Sequence, residues 1–425
     1  MFGFFSRRRR RQRIIGVIVI IMFIVLFEVS IENTDGHLGV HVHFRFGERV
    51  EVQPIDTPAR IKVGKSRSRW RKQIDDRYRR LWRTCTSKSA DDKSFTPLNL
   101  RHFQYNNKHR MFYCGIEKSG STFWRRLLQQ IEKGVIISPY NIRPENALLN
   151  YRNLASETFD EIDDILKFSV KFMVVRDPYT RLLSGYIDKL YSPNVYFWDT
   201  IGEHIVRTVR PNATMMSKTC GHDVTFLEFL KYVIKSQTTG DKKDSHFMPA
   251  AEICNPCKVK FDIISHMETF NYDIRYILET FNLRSYLSVI DGPSYNMVND
   301  TIYDVAQVFL SMRTDIRRCM DVHNALLRVW EKLQIKGIVT MDTPCPFRKS
   351  DVFDLTIDSM TSVIRKAFDS ASLSVLESQR KSLFLEYYRQ IPIETLRKLA
   401  YVFRQDFDYF GYDQYPKLLF KRSGT

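Results

Sequence analysis

Hydrophobic residues form one long apolar run near the N-terminus and, further along, short apolar runs that alternate with amphipathic stretches. Residues 112–116 and 168–175 are apolar over strand length. Each is followed by a turn and then by apolar residues at helical spacing, in 123–131 and 181–191. Strand, turn and helix twice in succession predict βα units, and therefore an α/β fold with a central parallel sheet flanked by helices. The remaining pattern is mostly helical, as in 226–236, 272–281 and 315–333.

The N-terminal apolar run, residues 14–27, directly follows six arginines at positions 7–13. Its 14 residues reach only about 21 Å as a helix, and extension to Ile31 gives about 27 Å, which is enough for a thin secretory membrane. No pair of small residues marks a cleavage site, so a cleaved signal peptide is disfavoured. We predict a cytosolic basic tail at 1–13 and an uncleaved transmembrane signal-anchor at 14–31.

The rest of the chain is then lumenal, with a predicted stem at 32–95 and a globular domain at 96–425. Two glycosylation sequons, at Asn212 and Asn299, suit that compartment. The stem contains a basic stretch, residues 65–83, whose apolar side chains recur at helical spacing. A basic helix that packs one face onto the globular domain is favoured over a docking strip for an acidic glycan.

Charge and cysteine content narrow the class of partner only slightly. The net charge of +17 suits nucleic acid, anionic lipid or acidic polysaccharide. Cys254 and Cys257 have the spacing of half a zinc site, but no second pair completes it, and no metal is expected. In a lumenal protein a disulfide is favoured, with one another or with one of Cys220, Cys319 and Cys345. Cys114, in a predicted strand, is interpreted as a buried free thiol.

The first candidate site is the segment 117–124, between a predicted strand and a predicted helix. The helix N-terminus offers unpaired N–H groups, Gly120 allows the backbone to approach an anion, and Lys118 adds a positive charge. The three hydroxyl groups of Ser119, Ser121 and Thr122 add further donors. The lysine precedes the glycine, unlike in the Walker A pattern, which argues against an ordinary ATP kinase. The alternative is an ordinary helix cap.

The second candidate site is the segment 174–186, where Arg176 ends the next predicted strand, 58 residues after Lys118. Ligands of open α/β sheets bind at the carboxyl ends of the strands. The arginine guanidinium is a forked donor suited to phosphate, and Ser184 on the following helix adds a hydroxyl group.

Together the two segments resemble the two nucleotide motifs of the membrane-bound Golgi carbohydrate sulfotransferases, which include chondroitin, dermatan and N-acetylgalactosamine 4-O-sulfotransferases. Residues 117–124 resemble P-K-x-x-x-S/T-x-W, and residues 176–184 resemble R-D-P-F/Y-x-R-L-L/I/V-S. Further likeness lies in residues 225–230, in 254–269 around the C-x-P-C pattern, and in the closing F-G-Y at 410–412. The resemblance covers about residues 96–415.

The resemblance implies a P-loop-like sulfotransferase fold and the donor 3′-phosphoadenylyl sulfate (PAPS). Its 5′-phosphosulfate would be held by Lys118, Ser119, Gly120, Ser121, Thr122 and Phe123. Its 3′-phosphate would be held by Arg176 and Ser184, with Arg181 of the same motif beside them. The acceptor would be an acidic or neutral glycan at the Golgi membrane, not nucleic acid. Glu117 departs from the family's proline and places an acid beside the anion site.

Sulfuryl transfer needs a cation at the leaving phosphate and a base at the acceptor hydroxyl. Lys118 is predicted to serve as the cation, so that no metal ion is needed. His246 is predicted as the base or as a contact to the acceptor, because histidine transfers protons near neutral pH and the resemblance implies a histidine before an aromatic residue at this place. A structural histidine is the alternative, with Asp188 and Glu268 as fallback acids. Asp188 is expected to pair with Lys189 or Arg181.

Two other functions compete with this hypothesis. A type II glycosyltransferase would share the anchor and would need a D-x-D motif, whose letters occur only at Asp406 and Asp408 in an aromatic stretch. A catalytically inactive glycan-binding relative would explain the charge but not two nucleotide motifs in the family's order. The segment 192–219 is a candidate insertion on the acceptor side.

Overall fold

The computed structural model describes residues 14–15, 27–34, 37–44, 65–87, 100–148, 152–290 and 295–421. It divides into two units, Met1–Val63 and Gly64–Thr425. The first unit contains strands β1 (Ile14–Ile15), β2 (Phe27–Thr34) and β3 (His37–Phe44), paired antiparallel in that order. Most of the predicted anchor, residues 16–26, lies outside the described residues. Within the described ranges, no helix combines the length and apolarity needed to cross a bilayer.

The second unit is built on a four-stranded sheet with the order β4 (Phe103–Asn106), β5 (Met111–Cys114), β6 (Val170–Val175) and β7 (Ile263–His266). The strands β5, β6 and β7 are parallel, as predicted. The expectation of a wholly parallel sheet is wrong, because β4 is antiparallel to β5. Only residues 107–110 join these two strands, and a parallel crossover needs a dozen residues or more.

Both faces of this sheet are covered, which explains why β5 and residues 172–175 of β6 are continuously apolar. Met111 and Tyr113 face one hydrophobic cluster, while Phe112 and Cys114 face another. Helix α1 spans Lys65–Ser87, α2 spans Ser121–Lys133, α3 spans Phe159–Phe168 and α4 spans Pro178–Tyr186. The helix α2 follows β5 and α4 follows β6, so the two predicted βα units are confirmed.

The rest of the second unit is mostly helical, as the sequence pattern indicates. A π-helical turn, Ile187–Tyr191, extends α4. Further helices are Val195–Phe197, Glu203–Val209, Met215–Cys220, Phe226–Thr239, Ala250–Cys254, Pro256–Val259, Phe270–Thr280, Leu287–Ile290, Tyr295–Ile316, Val322–Ile335, Ile357–Asp369, Leu373–Arg389, Ile393–Val402, Arg404–Phe410 and Lys417–Phe420.

The basic helix α1 packs one face against the sheet domain. Ile74 and Leu81 are buried, and the guanidinium of Arg77 is 2.7 Å from the carboxylate of Asp273. The helix lies within the predicted stem, yet it contacts β7 and the helix Arg404–Phe410. It therefore contributes to the core of the second unit.

Three disulfides connect distant parts of the second unit: Cys85–Cys257, Cys114–Cys254 and Cys220–Cys319. The expected pairing of Cys254 and Cys257 with each other, or with Cys220, Cys319 or Cys345, is therefore wrong. Cys114 is not a free thiol either; Cys345 is the free cysteine among the described residues. The partners Cys85 and Cys114 are remote in sequence and become neighbours only when α1 and β5 flank the C-x-x-C segment, so spacing could not reveal them.

Candidate active site

The loop between β5 and α2 forms a tight backbone cradle. Lys118 and Gly120 both have left-handed backbone conformations, with φ of 66° and 78°. A Cβ on Gly120 would lie 3.1 Å from the sulfur of Met267, so both conformation and space favour glycine. The Ser119 hydroxyl is buried and has no partner among the described residues. An orphaned donor beside the N-terminus of α2 fits an anion.

The side chains of the next three residues of the first motif have other surroundings than the Ser119 hydroxyl. Thr122 is exposed at the start of α2, while the ring of Phe123 packs edge-on against Phe270 at 5.2 Å. The Ser121 hydroxyl donates to a carboxylate oxygen of Glu117 over 2.9 Å. The backbone N–H groups of this first turn remain the helix's unpaired donors.

Glu117, which departs from the family pattern, forms an ion pair with Arg125 at 2.5 Å. Burial raises the pKa of the Glu117 carboxyl, but the Arg125 guanidinium and His246 outweigh it and hold that pKa well below its usual range. The acid beside the candidate anion-binding loop is therefore neutralised by an arginine about one turn into α2.

The Lys118 ammonium reaches across to the π-helical turn after α4. Its Nζ donates to Oδ2 of Asp188 over 2.7 Å, and the two side chains are 16% and 15% exposed. Burial lowers the pKa of Lys118, while Asp188 opposes that shift. Asp188 also lies 3.6 Å from Lys189, as expected, but its other close partners are Lys118 and Lys332 rather than Arg181.

The second motif adjoins the first at the carboxyl end of the sheet. The Arg176 guanidinium donates to the backbone carbonyl of Lys118 over 3.2 Å. Asp177 caps α4 by accepting from the backbone N–H of Thr180, and Ser184 lies half-buried on that helix. The structure thus brings together the two segments that are 58 residues apart in sequence.

Arg181 of α4 differs from Arg176 and Ser184, because its side chain is fully buried. Its guanidinium donates to the carbonyl of Met248 and lies near Asp406. Asp406 accepts from the backbone N–H groups of Ala250 and Ala251, and burial raises its pKa to about 6. These contacts favour structural roles for both residues, and the D-x-D interpretation of Asp406 is not supported.

His246 is held by Asp244, which in turn lies near Lys189. Its Nδ1 is 2.8 Å from Oδ1 of Asp244, and its ring meets Phe197 edge-on at 5.1 Å. The Lys189 ammonium lies 4.9 Å above the same Phe197 ring. A Cβ on Gly185 would come within 3.1 Å of Phe247, so the glycine of α4 lets the histidine segment approach.

The fallback acid Glu268 is occupied elsewhere. Its carboxylate accepts from the backbone N–H of Asp177 over 3.1 Å and from the Tyr412 hydroxyl over 2.9 Å.

Of the two glycosylation sequons, Asn212 is exposed in a turn, whereas Asn299 is half-buried within the helix Tyr295–Ile316. The exposed site is the better candidate for glycosylation.

Two residues in this constellation were missed from the sequence. Asp244 stands two residues before His246, and that spacing was the available signal, since an aspartate can bond to the backbone two residues on. Lys332 lies far along the chain, on the helix Val322–Ile335, and ordinary helical periodicity gives no sign of its contact with Asp188.

Comparison with the sequences of known proteins identifies the family of the chain. A sequence model of the sulfotransferase family matches residues 101–318. Carbohydrate sulfotransferase 11 of Mus musculus is 29% identical over 260 residues, which cover 59% of this chain and 72% of that protein. Carbohydrate sulfotransferase 9 of Homo sapiens is 33% identical over 176 residues, 41% of this chain and 39% of that protein. Carbohydrate sulfotransferase 14 of Danio rerio is 31% identical over 192 residues, 44% and 51% respectively.

The chain therefore belongs to the sulfotransferase family, and it is a sulfotransferase. No solved structure matches it significantly.

Proposed function

We propose that this enzyme takes a sulfuryl group from PAPS and transfers it to a hydroxyl of a carbohydrate, in a glycosaminoglycan or a glycoprotein glycan. The observation that carries the proposal is the contact of Arg176 with the Lys118 carbonyl, which joins two cationic anion-binding segments at one edge of the sheet. The names of the relatives support a carbohydrate acceptor. The net charge of +17 favours an acidic one.

The donor, when bound, supplies an activated sulfuryl group on a phosphate leaving group. Lys118, the Ser119 hydroxyl and the first N–H groups of α2 would hold its 5′-phosphosulfate. Arg176 and Ser184 would hold its 3′-phosphate. Fixed cations and N–H dipoles stabilise charge as it develops on the leaving phosphate, and this is the main contribution a protein makes to such transfers.

His246 would act as the base toward the acceptor hydroxyl. With Nδ1–H donating to Asp244 over 2.8 Å, the ring presents Nε2 as the proton acceptor. A base oriented by a carboxylate is the arrangement found where a hydroxyl must become a nucleophile. The His246 ring meets Phe197, the Lys189 ammonium lies over that same ring, and Lys189 is 3.6 Å from the aspartate that pairs with Lys118, which supports a base near the proposed donor site.

We further propose a single-pass type II anchorage in the Golgi membrane, with residues 1–13 cytosolic and the enzyme domain lumenal. Six arginines before an apolar run support that orientation. Three disulfides and an exposed sequon at Asn212 support an oxidising lumenal compartment.

The donor-site assignment is tested with Lys118→Ala and Arg176→Ala in the full-length chain. Each is expected to lower radiolabelled sulfate transfer to a panel of desulfated glycosaminoglycans by about a hundredfold or more, because a preorganised charge contact is lost. Lys231→Ala, at an exposed position on Phe226–Thr239, should leave transfer unchanged. Unchanged transfer in both site variants, with intact circular dichroism, would refute the assignment. Transfer from UDP-sugars instead would favour a glycosyltransferase.

A further inference from the structure

A cluster of lysines surrounds the carboxylate of Asp188 behind the donor loop. Its Oδ2 is 2.7 Å from Lys118 Nζ, and its Oδ1 is 2.7 Å from Lys332 Nζ. Lys189 lies 3.6 Å from Oδ2. Lys332 is 3% exposed and comes from the helix Val322–Ile335, beyond the stretch that the family model matches.

The surrounding charges are mainly positive. Lys336, just after the same helix, interacts with Asp188 and with Asp304 of the helix Tyr295–Ile316. Burial and the neighbouring Lys332 lower the pKa of Lys336 to about 8. The nearby Asp300 is already paired with Arg126 of α2 at 2.9 Å.

A further carboxylate, Asp244, faces Lys189 from the histidine segment while holding His246. Four ammonium groups, of Lys118, Lys189, Lys332 and Lys336, therefore interact with Asp188, and Lys336 also interacts with Asp304.

We propose that Lys332 is a positioning residue for sulfuryl transfer: it holds one oxygen of Asp188, so that Asp188 aims Lys118 at the donor without fully neutralising it. This inference rests on the proposed function, in which Lys118 contacts the 5′-phosphosulfate. An ammonium group has three N–H donors, and one of them is used by Asp188. A carboxylate shared with a second ammonium binds Lys118 less tightly, which leaves the other donors for the phosphosulfate.

Removing Lys332 and removing the Asp188 carboxylate should shift the pKa of Lys118 in opposite directions. Burial lowers the pKa of Lys118, Asp188 raises it, and Lys189 and Lys332 lower it. Without Lys332 the Lys118 pKa should rise and its ion pair with Asp188 should tighten. Without the Asp188 carboxylate the Lys118 pKa should fall and the ammonium should lose its orientation.

The test measures initial rates of sulfate transfer by the full-length enzyme against PAPS concentration and pH. Lys332→Gln should raise the KM for PAPS about tenfold, the size expected for one charge-assisted hydrogen bond, and move the alkaline limb of the rate profile to higher pH. Asp188→Asn should lower kcat at least about tenfold and move that limb to lower pH. Lys332→Arg, which keeps the charge, should restore both parameters partly.

Lys171→Gln is the matched control. Lys171 is also a mostly buried lysine, near a carboxylate at 3.8 Å, but it lies at the opposite end of β6 from Arg176. Its replacement should leave KM and the pH profile unchanged.

An unchanged KM and alkaline limb in folded Lys332→Gln overturns the inference. If that variant does not fold, the inference is overturned by Asp188→Asn when its alkaline limb stays in place or moves to higher pH. Absence of PAPS-dependent transfer in the wild type instead overturns the proposed function.

Discussion

At the scale of single residues, Glu117 shows how an acid is accommodated beside the loop that we propose to bind the 5′-phosphosulfate. Its carboxylate is balanced by Arg125 at 2.5 Å and accepts from Ser121. The pair is largely buried, with exposures of 6% for Arg125 and 15% for Glu117. Breaking a buried ion pair leaves an unpaired charge, so these two residues act as one neutral unit that supports the first turn of α2.

Asp244→Asn tests whether His246 is held as a base. The amide can keep a hydrogen bond with the ring but no longer fixes the ring with Nε2 as the acceptor, so kcat should fall at least about tenfold while the KM for PAPS stays near wild type. Steady-state kinetics of sulfate transfer provide the check. Asp241→Asn, an exposed acid on the same loop, should have no effect. Equal kcat in the two variants would contradict the role given to Asp244.

The sequence predicted contacts between residues at the ends of neighbouring strands. It did not predict contacts with side chains from distant parts of the chain. Lys118 and Arg176 adjoin because the strands β5 and β6 are parallel neighbours, which βα patterning predicts. The inward turn of Arg181 toward Met248 and Asp406 could not be predicted, because those contacts are separated from Arg181 by 67 or more residues. The same limit hid Lys332.

At the scale of elements, the position of α1 argues that the functional enzyme domain starts before residue 96. The helix buries Ile74 and Leu81, pairs Arg77 with Asp273, and is bonded to the C-x-x-C segment through Cys85. Two buried aliphatic side chains contribute about 1.5–3 kcal/mol each, and loss of a native disulfide costs about 2–5 kcal/mol. Together these terms are comparable with the total stability of an ordinary domain.

Truncation provides the corresponding prediction. Behind an added cleavable signal peptide, a chain beginning at Gly64 should be secreted and active, whereas one beginning at residue 96 should be poorly secreted, because the contacts of α1 with the sheet domain are lost. Secreted yield and thermal unfolding measure the difference. Equal yield and equal unfolding temperature for the two chains would show that α1 is dispensable, as the predicted stem boundary at 95 implies.

Elements themselves were more predictable than their pairing. Apolar runs located β5 and β6, and helical spacing located α2 and α4. The antiparallel strand β4 was missed because four residues of mixed polarity, Phe103–Asn106, carry too short a pattern. The anchor remains a prediction.

At the scale of the whole molecule, His266 makes stability depend on pH. Burial, and then Arg77, lower its pKa to about 3, and its Nε2 has no partner within the described part of the chain. The unfolded chain, with an ordinary histidine pKa near 6.5, binds more protons between those values. Stability should therefore fall as the pH drops from about 6.5 toward 3, by up to about 4 kcal/mol.

His266→Phe tests this dependence, because it keeps an aromatic ring against Tyr412, which stacks on His266 at 4.7 Å. The variant should show a flatter curve of unfolding free energy against pH over that window, measured by denaturant titration. Parallel curves for the variant and the wild type would exclude His266 as the source.

The disulfide Cys114–Cys254 has a consequence for when the enzyme becomes competent. Cys114 lies four residues before Lys118, and Cys254 lies eight residues after His246. One covalent bond therefore ties the segment carrying Lys118, the proposed cation, to the segment carrying His246, the proposed base. Chains in a reducing environment would lack this disulfide. We therefore expect the proposed reaction centre to be held in place only after oxidation, and reduced chains should show little sulfate transfer.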